Sequence, residues 1–278
     1  MTIKQAIDDV ANRSVSFREA EVFLAHVLSC DRTFLHAHPE TELTEAQAAA
    51  YETCLQQREA NEPVAYITGV KEFYGRPFKC DARALIPRPE TEALIDSAIA
   101  FLKDKPEASI LELGTGCGNI AITLAKELPE VQIIATDVSS EALELAQENA
   151  AALAATVTFL TADLFDNPAI SGPYDLIIAN LPYVPDRWRM DPQAQPEVVF
   201  KEPAIALFGG EDGLDIYRRF FAEVPHFLTP TGHLLIEFNE DQGQAIADLA
   251  QKAFPDRQVK VTQDYAGLDR CLEVGSKE

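Results

Sequence analysis

From residue 109 onward, short apolar runs alternate with helical stripes, and this rhythm constrains the fold of the 278-residue chain more than any other feature. Ser109–Leu113, Val131–Ala135, Val157–Leu160, Leu176–Ala179 and Leu234–Phe238 read as strands. Between them, Ile120–Leu128, Glu141–Ala152 (capped by Ser139 or Ser140), Ile216–Phe227 and Gly243–Phe254 read as helices. Two strands joined through a helix run parallel, with the helix packed on the sheet. The pattern therefore predicts an α/β domain of Rossmann-like type. The end departs from the rhythm: Gln258–Thr262 and Cys271–Val274 have no helix between them and predict an antiparallel hairpin at the sheet edge.

The first sixty residues read differently. Ser16-Phe-Arg-Glu19 and Thr44-Glu-Ala-Gln47 are capping-box patterns, and Ala20, Phe23, Leu24, Val27 and Leu28 form one apolar stripe. The second helix should run to about Arg58, and Asn61-Glu62-Pro63 stops it. A small helical bundle over residues 1–62 is expected. Residues 63–88 hold Tyr66-Ile67, Phe73-Tyr74 and Phe78 between Gly69, Gly75 and Pro77, a pattern of short strands or a hairpin linker. Pro89, Glu90 and Glu92 then open a helix whose stripe is Leu94, Ile95, Ala98, Ile99 and Leu102, and the α/β domain occupies 89–278.

Composition excludes several classes. Forty-five acidic against 23 basic residues give a net charge of −22, which repels a phosphate backbone, so direct nucleic-acid binding is not expected. Apolar runs are interrupted well before the ~18 residues a membrane helix needs. The first sixteen residues carry acids and no apolar run like that of a signal peptide. Five scattered cysteines without a Cys-x-x-Cys pair suit a cytoplasmic, reduced protein. His36, His38 and Cys30 are too few, and too poorly spaced, for a metal site. The chain is expected to act as a monomer.

Leu111-Glu112-Leu113-Gly114-Thr115-Gly116-Cys117-Gly118 sits at a strand-to-helix turn. Glycines there let backbone approach a ligand closely. The spacing is G-x-G-x-G, not the G-x-G-x-x-G of pyrophosphate cradles. Glu112 lies inside the strand, and Asp137 follows the next strand, nineteen residues after Gly118. Asp137 is placed to accept from ribose hydroxyls, and Asp163, after the third strand, from an adenine amine. Acids repel pyrophosphate but suit a ligand with amino-acid and sulfonium charges, namely S-adenosylmethionine (SAM). Glycines 114, 116 and 118, with Glu112, Thr115, Asp137, Asp163 and Asn180, are the candidate cofactor residues.

Tyr174–Asn180 is a buried strand ending on a polar side chain, followed by Leu181-Pro182-Tyr183. Ligands bind beyond the carboxyl ends of strands in such sheets. The Asn180 oxygen and the Leu181 carbonyl are two acceptors, and Tyr183 offers a flat face. Together they suit a planar –NH₂ group, either a carboxamide or the exocyclic amine of a base. Asn180, Pro182 and Tyr183 are the catalytic candidates. Glu237 ends a central strand near the same cleft, its role open between site and structure.

The chain resembles the HemK/PrmC family of release-factor glutamine methyltransferases along essentially its whole length. The stretches that carry the resemblance are Glu62–Gly69, Glu72–Gly75, Leu85-Ile-Pro-Arg-Pro-Glu-Thr-Glu92, Glu112–Gly118, Asn180–Tyr183, Glu202–Leu207 and Gly209–Asp215. It implies a substrate-docking helical domain and a seven-stranded SAM-dependent methyltransferase domain. It further implies N5-methylation of the glutamine in the Gly-Gly-Gln loop of peptide-chain release factors. By the same resemblance Arg88, Glu90 and Thr91 line the pocket, and Asn180 with the Leu181 carbonyl holds the glutamine amide. The family usually has Asn-Pro-Pro-Tyr; Leu181 replaces the first proline, keeping the carbonyl and adding a backbone N–H. Asn-Leu-Pro-Tyr also resembles the motif of RNA adenine-N6 methyltransferases. A glutamine in a ribosomal protein and an adenine amine are the alternative acceptors.

Overall fold

The computed structural model describes residues 1–191 and 196–277. Helices α1 (Ile3–Asp8), α2 (Phe17–Leu28), α3 (Arg32–Ala37), α4 (Glu45–Glu59) and α5 (Val64–Thr68) come first. The capping boxes at Ser16 and Thr44 both form, each with the hydroxyl accepting the third-residue N–H and that residue's side chain accepting the cap N–H. The expected strand at Tyr66-Ile67 is instead α5. Pro63 sits just before its first residue, and the turn ends at Gly69 with φ of 72°.

Strands β1 (Val70–Phe73) and β2 (Arg76–Lys79) form the hairpin. Tyr74 and Gly75 between them have φ of 49° and 70°, as a two-residue I′ turn requires. Then follow α6 (Glu92–Leu102), β3 (Ser109–Leu113), α7 (Asn119–Glu127), β4 (Gln132–Asp137), α8 (Ser140–Ala152), β5 (Thr158–Thr161) and β6 (Tyr174–Ala179). The chain continues through α9 (Pro196–Lys201), α10 (Ala204–Leu207), α11 (Asp215–Glu223), β7 (Leu228–Glu237), α12 (Gly243–Ala253), β8 (Gln258–Gln263) and β9 (Asp269–Gly275). The expected helix to Phe227 stops early: Pro225 takes the backbone into a 3₁₀ turn, and the strand after it starts at Leu228 rather than Leu234.

The residues fall into two compact units. One is Met1–Val70 with α9, cored by Ile3, Phe23, Leu24, Leu35, Tyr51 and Leu55. Within it Arg58 pairs with Glu197 at 3.1 Å and Lys201 with Glu62 at 3.0 Å. The other comprises the described residues of 71–194 and 202–278. Its seven-stranded sheet runs in the order β5-β4-β3-β6-β7-β9-β8. The first five strands are parallel, and β9 is antiparallel to both β7 and β8. Strand alternation splits the core in two. Leu111, Leu113, Ile177, Leu234 and Ile236 pack with α11 and α12 residues such as Tyr217 and Ile246. Ile110, Leu176, Ile178 and Leu235 pack on the other face with Leu94, Ala98, Ile120 and Leu124. No helix among the described residues is long and apolar enough to cross a membrane.

Tyr217 of α11 is fully buried, and its hydroxyl joins two strand ends. It accepts from the Leu181 N–H at 3.3 Å and donates to the Glu237 backbone carbonyl. The N–H that Leu181 carries in place of a proline ring thus has its partner in the core. Replacing Tyr217 by Phe should leave that N–H unpaired and cost about 1–3 kcal/mol. The midpoint of urea unfolding should fall with its slope unchanged; an unmoved midpoint would show that the hydroxyl is idle.

Candidate active site

The sheet order reverses between β3 and β6: β3 continues to β4 and β5 on one side, and β6 to β7 on the other. This is the switch point at which open α/β sheets leave a crevice. The Gly-rich turn leaves β3 there, and the Asn180 turn leaves β6. Leu113 pairs with Ala179, so Gly114 and Asn180 leave the sheet side by side. Gly114 has φ of 72°, and a Cβ on it would lie 3.0 Å from Leu181 Cδ2 and 3.6 Å from the Asn180 carbonyl.

A cavity occupies this crevice. Among the expected residues, Arg88, Thr91, Glu112, Gly114, Thr115, Gly116, Asp137, Asp163, Asn180, Leu181 and Pro182 line it. Glu90, Gly118 and Tyr183 are not among its lining residues. Gly118 serves packing instead: a Cβ there would stand 2.7 Å from Ile122 Cδ1 and 3.2 Å from Ala146 Cβ. The Tyr183 hydroxyl is turned to the Glu237 carboxyl, donating to Oε1 at 2.9 Å.

The charges around the cavity are sorted. Its three lining arginines are all ion-paired: Arg83 with Asp81 and Glu148, Arg88 with Glu202, and Arg219 with Asp163 at 2.8 Å. Two of the lining acids stand without a cation among the described residues. Asp137 accepts from the Gly116 N–H through Oδ2 and the Ser139 N–H through Oδ1, both at 2.9 Å, and burial raises its pKa. Glu112 is buried; its Oε2 accepts from the Thr115 hydroxyl at 2.8 Å and the Ala121 N–H at 3.0 Å. Its Oε1 has no partner among the described residues.

Several supporting residues escape a motif reading. Glu202 accepts from the Ile86 N–H at 3.0 Å and from Arg88, so it fixes the loop that carries both. Asn149 accepts from the Lys79 N–H and donates to the carbonyls of Lys79 and Cys117, tying the hairpin to the Gly-rich turn. Its signal is present in the sequence: Asn149 falls on the buried stripe of Ala142, Leu145, Ala146 and Ala150, where a polar residue needs a buried partner. Glu237 is buried, accepts from Thr91 as well as Tyr183, and has its pKa raised by burial.

Burial, with a smaller contribution from Asp137, lifts the Glu112 carboxyl from its usual 4.5 to about 8. Between those values the folded protein holds a proton that the unfolded chain has released. Glu112 therefore lowers stability as pH rises through this window, by roughly 5 kcal/mol in total. Glu112→Gln keeps the acceptor at Oε2 and removes the titration. Its urea-unfolding free energy should fall less than that of the wild type between about pH 5 and pH 8. Parallel curves would show that Glu112 is ionised throughout.

Two family models match the chain: PrmC N-terminal domain over residues 3–69 and Methyltransferase small domain over residues 93–201. A release factor glutamine methyltransferase of Koribacter versatilis is 40% identical over 284 residues, covering 100% of this chain and 99% of its own. The Escherichia coli protein of the same name is 35% identical, covering 99% and 95%. Among solved structures, the human Mettl16 catalytic domain bound to an RNA hairpin superposes with a TM-score of 0.58 at 14% identity, covering 84% of this chain and 83% of that one. A Pyrococcus furiosus methyltransferase gives 0.52 at 18%, covering 82% and 98%. The solved structures share the fold of a SAM-dependent methyltransferase; identity over whole chains goes further, and the protein belongs to the release factor glutamine methyltransferase family.

Proposed function

We propose that the protein transfers a methyl group from SAM to the side-chain amide nitrogen, N5, of the glutamine in the Gly-Gly-Gln motif of peptide-chain release factors. The observation that carries this reading is the meeting of the Gly-rich turn and the Asn180-Leu-Pro turn in one crevice. The name shared by the full-length relatives favours a glutamine amide over a base amine or a ribosomal-protein glutamine.

The cavity residues fit SAM. Every lining arginine is already neutralised by a carboxylate, so no unpaired guanidinium stands ready for a pyrophosphate. Among the described residues Glu112 and Asp137 have no cationic partner and the Glu112 Oε1 has no hydrogen bond, a set of acceptors suited to a ligand with ammonium and sulfonium groups, whose positive charge would favour the ionised form of Glu112. Gly114, Thr115 and Gly116 would hold its amino-acid part, and Asp137 its ribose. Asp163 remains the candidate for the adenine amine, sharing its carboxylate with Arg219. SAM supplies a methyl carbon on a good leaving group.

The chain's own task is then to orient an unreactive amide. An amide nitrogen is a poor nucleophile because its lone pair is delocalised into the carbonyl. Asn180 Oδ1 and the Leu181 carbonyl would accept its two N–H bonds and fix the direction of the lone pair. Positioning and fixed dipoles do the work, and no strong general base is required before transfer, since the proton can leave afterwards. The helical unit, matched by the PrmC N-terminal model, would dock the release factor. A cytoplasmic location belongs to the same reading and is supported by five free cysteines. The net charge of −22 favours a protein substrate over nucleic acid.

Incubation of the purified protein with a release factor and SAM, followed by mass spectrometry of the Gly-Gly-Gln peptide, should show the gain of one methyl group. No gain there would overturn the proposal. Asn180→Ala should abolish most turnover while SAM affinity stays nearly constant; full activity in that variant would remove Asn180 from its role. Asp137→Ala should weaken SAM binding by about 1–3 kcal/mol in calorimetry. Equal affinity would mean that Asp137 does not hold the ribose.

A further inference from the structure

We infer that Thr91 and Glu237 are positioning residues: they form a relay that sets which end of the Asn180 side-chain amide faces the cavity. The inference rests on the methyl-transfer reading above and assigns Thr91 a role other than contact with substrate. Thr91 and Glu237 are each 1% exposed. The Thr91 hydroxyl donates to Glu237 Oε2 at 2.6 Å, and Asn180 Nδ2 donates to Thr91 Oγ1 at 3.2 Å.

The direction follows from counting hydrogens. A hydroxyl has one hydrogen and two lone pairs. Glu237 takes that hydrogen, so Thr91 presents only lone pairs to Asn180. The amide must then turn its NH₂ group to Thr91. Were it flipped, its oxygen would face the Thr91 lone pairs, losing the hydrogen bond and opposing two acceptors in a buried place. With Nδ2 held, Oδ1 is the end left for a ligand, and Oδ1 takes no hydrogen bond among the described residues. An acceptor there is what a primary amide substrate needs; a donor there would repel its N–H bonds.

Glu237 anchors the rest of the turn as well. Its Oε1 accepts from the Tyr183 hydroxyl at 2.9 Å, and its backbone carbonyl accepts from Tyr217, whose oxygen accepts from the Leu181 N–H. Asn180, Leu181 and Tyr183 are thus each tied to one residue at the end of β7. The side-chain oxygen and the main-chain carbonyl of the turn are held in one frame.

The test is steady-state kinetics with SAM and a release factor on three proteins: wild type, Thr91→Val and Thr91→Ser. Valine keeps the shape and removes the hydroxyl, while serine restores it. The Thr91→Val variant should lose kcat about ten- to a hundredfold, with its SAM dissociation constant within twofold of wild type. Thr91→Ser should recover to within about threefold of wild type. A second readout needs no turnover: the Asn180 side-chain NH₂ resonances, assigned by their loss in Asn180→Ala, should shift in Thr91→Val and return in Thr91→Ser. If wild type methylates and Thr91→Val matches it in kcat, the relay is refuted while the function stands. If kcat and SAM affinity fall together, or serine fails to rescue, Thr91 is structural and the relay is likewise refuted. If wild type itself leaves the release factor unmodified, the functional reading fails, and the resonances alone decide the relay.

Discussion

Period-2 alternation in three neighbouring strands is the constraint on which the site depends. Glu112 on β3 shares the face of Ile110, and Glu237 on β7 shares the face of Leu235. Asn180, one residue beyond β6, continues the face of Ile178. The register pairs Glu112 with Ile178 and Ile178 with Leu235. Three polar side chains therefore leave the carboxyl ends of adjacent strands on the same side, under the residues that begin α6 and α7. A slip of one residue in any of these strands would send its polar group to the opposite face.

Burying carboxyl groups there is unfavourable unless their oxygens are satisfied. Glu237 meets this with the hydroxyls of Thr91 and Tyr183, and Glu202 with the Ile86 N–H and Arg88. Glu112 meets it only in part, because Oε1 has no donor among the described residues. The contrast separates two kinds of buried acid. Fully bonded ones hold loops still, while the incompletely bonded one lies in the cavity wall where a ligand could complete it. The paired arginines play the complementary part, keeping positive charge near the crevice but committed to neighbouring carboxylates.

Much of this was legible in the residues themselves. The capping boxes, the Gly-rich turn, the strand-helix rhythm and the terminal hairpin are local patterns set by end hydrogen bonds, glycine conformation and the period of burial, and they appear where expected. Tyr66-Ile67 misleads because a short apolar run between turn residues suits one helical turn as well as a strand. The early stop at Pro225 was also open to a local reading, since proline cannot continue the hydrogen-bond ladder. Among the polar residues, Asn149 betrayed itself by its place on an apolar stripe. Glu202, Tyr217 and Thr91 did not, because each partner lies 20 or more positions away along the chain.

By itself the sequence determined most of the elements, the Gly-rich and Asn180 turns, and the acids that follow the strands. These depend on periodicity, glycine conformation and residue type, all readable within a few positions. Only the tertiary structure decided that β3 and β6 lie side by side, which glycine serves packing rather than the cavity, and that Thr91 stands between Asn180 and Glu237. Those outcomes are contacts between distant segments, and the direction of each hydrogen bond follows from which donor and acceptor the fold brings together.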